Sequence, residues 1–419
     1  MKKVLFFAYD YPPLGGGGVL RSVKFIKYLP DLSWEPIVIT SKENSVGVKD
    51  ETLLSQIPAT VRHYRVNAIT PYFFFRCLKR LKLTSVRHYL DTYFCIPDKL
   101  VGWVPFAIKQ AEQIIKQEQI DVIYTTSPPH STHLIGYYLK KKHPSIPWVA
   151  DFRDAFCENP FRHIKQGGLR DKIEQKLERK YIKRADSLIF NTNSSFNTHK
   201  NKYGDLLMRK SFVIPNGFDS EDFRNLPKFS NDSRFTILHT GRIYGIRSIM
   251  PLVKALEIFA DQHKKIYNKL NIQFIGYAIN QDEKNMVASS KASYLFEFRD
   301  FLSHKECLTE MKNADLLLLI TGKGESAVMI PGKFYEYLGA GTPVLALSEK
   351  GELTKIIQEC NAGEWCALDD YDKIARVIHK FFSNRNNKSF FKPDNAMIMR
   401  YDRRNLTRQL ATVFNRLVT

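Results

Sequence analysis

One continuous segment, residues 2–22, reads KKVLFFAYDYPPLGGGGVLRS and contains a strand, a turn and the start of a helix. Val4–Ala8 is a short apolar run, typical of a strand that is buried on both faces. The four glycines Gly15–Gly18 allow a tight turn, and Arg21 opens a helical pattern. A strand that passes through a glycine-rich turn into a helix predicts a parallel α/β sheet.

The same alternation of short apolar runs and helical patterns continues along the chain. Two series of strands are predicted: Val4–Ala8, Pro36–Thr40, Val61–Val66, Val122–Thr125, Trp148–Phe152, Ser187–Asn191 and Phe212–Pro215, then Phe235–Thr240, Ile272–Gly276, Phe296–Phe298, Leu316–Ile320 and Val344–Leu347. A turn at Asn216-Gly217 separates them. We predict two Rossmann-like domains facing across a cleft, residues 1–215 and 216–400, and a C-terminal helix within 401–419 that could pack back on either domain, including the first.

Composition and charge narrow the functional classes. The 419 residues are 44% hydrophobic and 25% charged, as in ordinary globular proteins, and carry 63 Lys+Arg against 43 Asp+Glu. Residues 1–210 hold 34 basic and 19 acidic side chains, an excess of 15, whereas the remainder has 29 and 24, an excess of 5. This asymmetry predicts an anionic partner: nucleic acid, a membrane surface or a phosphorylated substrate.

Three features favour a cytoplasmic location. The first apolar run ends at Asp10 and is not followed by a small-residue cleavage site. No run approaches the ~18 apolar residues of a membrane span. The six cysteines include no CxxC pair, which fits a reducing compartment and argues against structural zinc.

The glycine loop is a candidate anion site. Gly16 and Gly17 follow the first strand and precede a helix, where backbone N–H groups can approach a phosphate. The alternative is a merely flexible turn. The loop lacks the GxGxxG pattern of nicotinamide binding and the GK[ST] of a P-loop, so no such cofactor is expected.

The second domain carries two further candidate segments. HTGRIYGIR, residues 239–247, follows its first strand, and Arg242 and Arg247 could clamp a diphosphate there. PGKFYEYLGAGTPV, residues 331–344, starts a late helix on which Lys333 and Glu336 share one face. A lysine for phosphate and a carboxylate for a vicinal diol would suit a nucleotide; the alternative is an ordinary ion pair.

Together these segments resemble the retaining glycosyltransferases of family 4, which have the GT-B fold. The resemblance covers nearly the whole chain. It rests on the glycine loop, SPPHSTHLIG at 127–136, DFRDAF at 151–156, IPNGFD at 214–219, HTGRIYGIR at 239–247, PGKFYEYLGAGTPV at 331–344 and LSHKE at 302–306. It implies a metal-independent transfer of sugar from a nucleotide-sugar donor, UDP- or GDP-linked, to a glycan or lipid-linked acceptor of bacterial surface polysaccharide synthesis.

The resemblance also assigns roles to particular residues. Glu336 corresponds to the ribose-binding glutamate, and Arg242 and Arg247 to the basic pair on the donor diphosphate, with Lys333 nearby. Gly16 and Gly17 correspond to the glycines that close on the donor. The family's usual second glutamate would fall at Val328, and Glu325, three residues earlier, is a weak substitute for contacts to the donor sugar.

Three polar residues lie where strands of the first domain end. His130 and His133 follow the fourth strand, and Asp154 follows the fifth. His133 is the better match to the family and a candidate catalytic residue, whereas His130 is a weaker candidate for the donor sugar. Asp154 could contact the acceptor hydroxyl, or simply pair with Arg153. In a retaining enzyme the leaving diphosphate can take the acceptor proton, so no general base is assigned.

Residues 72–87 combine aromatic and basic side chains. No acidic residue lies between Glu51 and Asp91. The candidates for contact with an anionic membrane are Phe73, Phe74, Phe75, Arg76, Lys79, Arg80 and Lys82. The alternative is a packed helix with a solvated charged face. The membrane interpretation predicts a peripheral protein on the inner face of the cell membrane.

Two rival functions are considered. A nucleotide-sugar epimerase of GT-B fold would need a cluster of acidic residues in the cleft, and none is evident. A basic nucleic-acid-binding protein would fit the charge, but no nucleic-acid-binding motif is recognised. We therefore expect a nucleotide-sugar glycosyltransferase without a metal or a nucleic-acid partner.

Overall fold

The computed structural model describes residues 1–42, 49–162, 164–227, 229, 234–276, 281–325 and 329–418, and their side chains except those of Phe73 and Arg87. The described residues form two compact units. The first consists of Met1–Pro215 with Leu406–Thr419, and the second of Asn216–Asn405.

The first unit is built on a parallel sheet of seven described strands, in the order β3-β2-β1-β4-β5-β6-β7. The strands are β1 Lys2–Phe7, β2 Trp34–Ser41, β3 Arg62–Val66, β4 Val122–Ser127, β5 Trp148–Phe152, β6 Ser187–Phe190 and β7 Ser211–Val213. The helices are α1 Gly17–Tyr28, α2 Tyr72–Arg80, α3 Thr84–Phe94, α4 Val104–Gln117, α5 Thr132–Lys142, α6 Leu169–Arg184 and α7 Asn193–Tyr203. Along β1, Leu5 and Phe7 enter one core layer and Val4 and Phe6 the other, as expected of a strand covered on both faces.

The second unit has a parallel sheet of six described strands in the order β10-β9-β8-β11-β12-β13. They are β8 Phe235–Thr240, β9 Leu270–Ile275, β10 Phe296–Arg299, β11 Leu316–Ile320, β12 Val344–Leu347 and β13 Gly363–Cys366. The helices are α8 Met250–Gln262, α9 Lys264–Tyr267, α10 Gln281–Ser289, α11 His304–Asn313, α12 Gly332–Ala340, α13 Glu352–Glu359, α14 Tyr371–Ser383 and α15 Asn395–Met399. Strand β13, GEWC, is absent from the predicted series because it has no apolar run.

The last helix, α16 Arg403–Asn415, packs on the first unit. Leu406, Leu410 and Phe414 are fully buried, and the ring of Phe414 meets that of Tyr124 edge-on at 5.8 Å. Of the two placements that the sequence left open for the C-terminal helix, the structure shows the one on the first domain. The prediction of two Rossmann-like parallel-sheet domains is confirmed.

Candidate functional site

Helix α12 carries the central pair of charged residues in the second unit. Its buried face, with Phe334, Tyr337 and Leu338, packs on the sheet. The backbone N–H of Thr240, the last residue of β8, donates to the Tyr337 hydroxyl at 2.9 Å. This bond ties α12 to the carboxyl end of the strand, where parallel sheets bind ligands. Lys333 and Glu336 therefore stand at that edge.

Lys333 is held by a buried histidine. The Nδ1 of His239 lies 2.9 Å from the Leu318 carbonyl oxygen and must donate to it, so Nε2 accepts from the Lys333 ammonium at 3.0 Å. Burial, and next the charge of Arg247, lower the pKa of Lys333 to about 7. Burial also lowers the pKa of His239 well below its usual range, which keeps the ring neutral.

Arg247, predicted to bind a diphosphate, forms a buried ion pair with Glu325 in this structure. It is 8% exposed, and its Nε donates to Glu325 Oε2 at 2.9 Å while Nη2 donates to Oε1. Glu325 is fully buried and also accepts the Gly322 N–H at 2.8 Å. In this structure the buried Glu325 carboxylate therefore orients Arg247, and its predicted contact with a donor sugar stays a prediction. Val328 lies outside the described residues. Arg242 has an exposed side chain.

Glu336 has a partner that the sequence did not single out. Its Oε1 lies 2.6 Å from Nε2 of His304, the first residue of α11, and the two side chains are only 15% and 13% exposed. The histidine lies within LSHKE, which contributed to the family resemblance without any role being assigned to it. Among the described residues, three or more His, Cys, Asp or Glu side chains are nowhere grouped to hold a metal ion.

In the first unit, the glycine loop leaves backbone open at a helix start. Helix α1 begins at Gly17 after Gly16, whose φ is 101°. Among the described residues no side chain caps the helix, and its first turn holds no acidic residue. A Cβ added at Gly16 or Gly17 would meet no atom of the described part of the chain within 4 Å. The N–H groups of this turn can therefore receive an anion.

Arg153 supports the glycine loop through a hydrogen bond to its backbone. It is 8% exposed and donates to the carbonyls of Gly18 and, at 3.2 Å, of Pro128. Burial raises the pKa of nearby Asp10, and the charge of Arg153 opposes this. Asp10 ends the apolar run of β1, a signal that sequence reasoning used only to exclude a signal peptide. Asp154 follows at the same edge and is partly exposed.

The two predicted histidines lie differently than expected. His133 is fully buried, with Nδ1 at 2.8 Å from Thr125 Oγ1 and Nε2 at 3.0 Å from Ser127 Oγ. Both ring nitrogens are occupied within the core, so His133 braces β4 and does not face a ligand. His130 stacks on Phe156 at 4.3 Å, and burial lowers its pKa to about 3. The predicted contact of His130 with the donor sugar stays a prediction.

A buried ion pair fixes the start of α1. Arg21 and Asp151 are both fully buried, with Nε–Oδ2 at 2.8 Å and Nη2–Oδ1 at 3.0 Å. Arg21 also donates to the carbonyls of Ile214 and Pro215 at 2.9 and 2.8 Å. The Tyr124 hydroxyl donates to the same carboxylate at 2.5 Å. The sequence placed Arg21 beside the glycine loop but could not show that it turns into the core.

Residues 72–94 form a helical hairpin of α2 and α3. Phe75 is 7% exposed and packs with Leu78 and Cys95, so its predicted exposure to a membrane is wrong. Phe74 is 52% exposed, and the Phe73 side chain lies outside the described residues. The predicted basic residues Arg76, Lys79, Arg80 and Lys82 are all exposed. Further exposed apolar side chains are Leu81, Leu83, Val86, Tyr89, Tyr93 and Phe94. Within the described chain, no helix is both long and apolar enough to cross a membrane.

Part of the chain matches a known protein family and one curated protein. The model of Glycosyltransferase Family 4 matches residues 15–222, nearly all within the first unit. Over 272 residues the chain is 23% identical to a Pseudomonas aeruginosa protein named "Probable glycosyltransferase WbjE". That match covers 62% of this chain and 65% of WbjE, slightly under two thirds of the relative.

Solved structures match along the whole chain. Sucrose-phosphate synthase of Thermosynechococcus elongatus has a TM-score of 0.68 at 13% identity, covering 100% of this chain and 99% of that one. Anabaena HepE in complex with UDP and glucose has a TM-score of 0.69 at 17% identity, covering 99% and 100%. At such low identity these likenesses establish the fold, which is GT-B.

Proposed function

We propose that the chain is a nucleotide-sugar glycosyltransferase of family 4 that transfers with retention of anomeric configuration. One observation carries the proposal. Helix α12 presents Lys333 and Glu336 at the carboxyl edge of the second sheet, beside the Arg247–Glu325 pair. Cations for a diphosphate and a carboxylate for a vicinal diol then stand together, which is the chemistry of a nucleotide-sugar site.

In this proposal the second unit binds the donor and stabilises the leaving diphosphate. Negative charge grows on the diphosphate as its bond to the sugar breaks, and Arg242, Arg247 and Lys333 would oppose it. Fixed cations replace a divalent metal in this role, so we propose a metal-independent reaction. The leaving group itself would take the acceptor proton, which leaves His133 as a structural support and Asp154 as a candidate contact to the acceptor.

The donor is proposed to be UDP- or GDP-linked. HepE, a protein of the same fold, has been solved with UDP and with UDP-glucose. Another protein of the same fold is named sucrose-phosphate synthase, so the shared fold does not name the acceptor. The proposed acceptor is a glycan or lipid-linked glycan of cell-surface polysaccharide synthesis.

The hairpin of residues 72–94 supports a lipid-linked acceptor and a peripheral position on the inner face of the membrane. Arg76, Lys79 and Lys82 are exposed and follow the exposed Phe74 in the same hairpin. Tyr89 and Phe94 of α3 add rings that are 58% and 69% exposed. Exposed aromatics next to uncompensated basic residues suit an anionic lipid surface.

Thermal-shift screening with UDP, GDP and ADP tests the donor site, because a ligand stabilises the state that it binds. Glu336→Ala should weaken the best nucleotide by about 2–3 kcal/mol, the value of charge-assisted bonds to a diol. Glu359→Ala, which removes an exposed carboxylate of α13, should change nothing. The function is refuted if no nucleotide stabilises the chain while oligonucleotides bind in a salt-dependent manner.

Liposome co-sedimentation with and without anionic lipid tests the hairpin. The variant changes Arg76, Lys79, Arg80 and Lys82 to Ser and should pellet less, since each basic residue near the surface is worth about 1 kcal/mol before screening. The matched control changes four exposed basic residues of α6, Lys172, Lys176, Arg179 and Lys180, to Ser. If both variants pelleted equally less with anionic liposomes, binding would depend on the overall charge of the protein and not on the hairpin.

A further inference from the structure

The two charged residues of α12 are each held by a histidine from another element. His239 of β8 bonds Lys333, and His304 of α11 bonds Glu336. The histidines stand 94 and 32 residues away from their partners in the sequence. The His239 bond lies deep in the sheet edge, whereas the His304 bond lies at a helix start with both side chains partly exposed.

The backbone at His304 is fixed by its own helix cap. Ser303 caps α11 in a capping box: its hydroxyl and N–H both reach the Glu306 carboxylate, at 2.6 and 2.8 Å. This reciprocal cap sets the first turn of the helix and so the position of the His304 ring. The ring therefore approaches Glu336 from a rigid element and not from a free loop.

The direction of the His304 bond follows from the chemistry of the groups. An ionised carboxylate can only accept, so Nε2–H donates to Oε1 across 2.6 Å. A glutamate side chain has rotamer freedom that must be lost before it can grip two hydroxyls. The bond to His304 removes part of that freedom in advance and leaves Oε2 and the remaining acceptor positions of Oε1 for a ligand.

We propose that His304 is a positioning residue that orients the Glu336 carboxylate for the vicinal diol of a ribonucleotide. The inference rests on the proposed function of Glu336 and extends it to the residue that makes the site selective for ribose over 2′-deoxyribose. A carboxylate fixed in one orientation gains both hydroxyl contacts at once. A mobile carboxylate loses most of the benefit of the second hydroxyl, because ordering it opposes binding.

The test compares one ribonucleotide with its 2′-deoxy form by calorimetry. The probe is whichever of UDP, GDP and ADP binds the unmodified chain best, together with its 2′-deoxy analogue. Wild-type protein should prefer the ribose form by about tenfold or more, as expected for a hydrogen bond to a charged group. His304→Ala should weaken the ribose form about five- to tenfold and the deoxy form much less, so that the preference shrinks.

Two further variants separate positioning from folding. His304→Gln keeps an N–H donor near the Nε2 position and should restore most of the ribose preference. Lys305→Ala changes the next, exposed residue of α11 and should leave both affinities unchanged. In turnover assays His304→Ala should raise the donor KM more than it lowers kcat, as expected for lost uniform binding.

The outcomes distinguish this inference from the proposed function. If Glu336→Ala weakens the nucleotide but His304→Ala weakens the ribose and deoxy forms equally, or neither, the donor site stands and the role of His304 is refuted. If no nucleotide binds, or Glu336→Ala has no effect on affinity, the proposed function itself fails, and the His304 proposal is refuted with it.

Discussion

The loops that follow the first strand of each unit occupy equivalent places in two similar sheets, yet they are built in opposite ways. After β1, Gly16 and Gly17 expose bare backbone, and the nearby Arg21 turns inward to Asp151. After β8, Arg247 stays near the edge of the sheet, held by Glu325. The first loop offers N–H groups, and the second offers side-chain cations.

This difference separates two ways of meeting an anion. Backbone N–H groups need no counter-charge, but they need the absence of side chains. Cations at a partly buried edge lose hydration, so they need acceptors such as Glu325 and His239 to hold them. Changes in the first loop should therefore act through space and backbone conformation, and changes in the second through charge.

The largest expected effect is on stability and comes from the inward-facing arginine. Arg21→Ala would leave Asp151 buried without its partner, which costs about 3–5 kcal/mol in buried pairs. The exposed Arg242→Ala should change the free energy of unfolding by no more than about 0.5 kcal/mol. Denaturant unfolding of both variants measures the difference. Similar losses in both would contradict the assignment of Arg21 to the core.

Arg247→Ala should have the next largest effect, on turnover, together with a loss of stability because Glu325 is left buried without its partner. Removing one fixed donor to a developing oxyanion lowers kcat by about 10²–10³-fold. Donor binding should weaken less, because the charge on the diphosphate grows only as the sugar bond breaks. Steady-state kinetics with separate calorimetry of the nucleotide distinguishes the two. A variant that loses affinity while kcat stays unchanged would place Arg247 in ground-state binding alone.

EDTA should leave that activity unchanged, since the cations of the second loop are proposed to replace a metal. The assay uses donor, acceptor and enzyme in chelator, followed by addition of magnesium. Activity that disappears in EDTA and returns with magnesium would contradict the metal-free proposal.

Local sequence patterns predicted where the two loops lie, but not which residues pair with the arginines near them. The strand–glycine–helix pattern of residues 2–22 and the spacing of Lys333 and Glu336 depend on near neighbours, so they were visible in the sequence. Arg21 of α1 contacts Asp151 of β5 across 130 positions of the sequence. The contact depends on the strand order, which places only β4 between β1 and β5. Arg247 meets Glu325 across 78 positions for the same reason.

The sequence also could not predict which side chains of a helix are buried. Phe74 and Phe75 are adjacent and chemically identical, yet one is 52% and the other 7% exposed. Their difference depends on which side of α2 meets α3. The same limit applies to His133, whose family match says nothing of the Thr125 and Ser127 hydroxyls that enclose it.

A smaller effect is expected from adding one methyl group in the first loop. Gly17→Ala meets no atom within 4 Å, so stability should change by no more than about 0.5 kcal/mol. The backbone N–H remains, but the added methyl would keep an anion from approaching it, so turnover should fall by about tenfold, the value of one charge-assisted bond. Gly16→Ala is the contrasting variant, because its φ of 101° makes any side chain strained and should lower stability as well. Unchanged kinetics in Gly17→Ala would remove the anion site from the first loop.

The last expected effect is a dependence on pH that only the cation site of the second unit, with Lys333 of α12 and Arg247, should show. Burial and the charge of Arg247 lower the pKa of Lys333 to about 7, so its positive charge is present below pH 7 and lost above it. A bound diphosphate favours the charged form; binding between pH 7 and 9 should therefore take up a proton, and affinity should fall by at most about tenfold per pH unit. Calorimetry in buffers of different ionisation enthalpy measures this proton uptake. The pKa of His239 lies too low to contribute, and Lys333→Arg, which stays charged throughout this range, should flatten the dependence. A slope that persists in Lys333→Arg would mean that another group takes up the proton and would refute the role of Lys333 in the pH dependence.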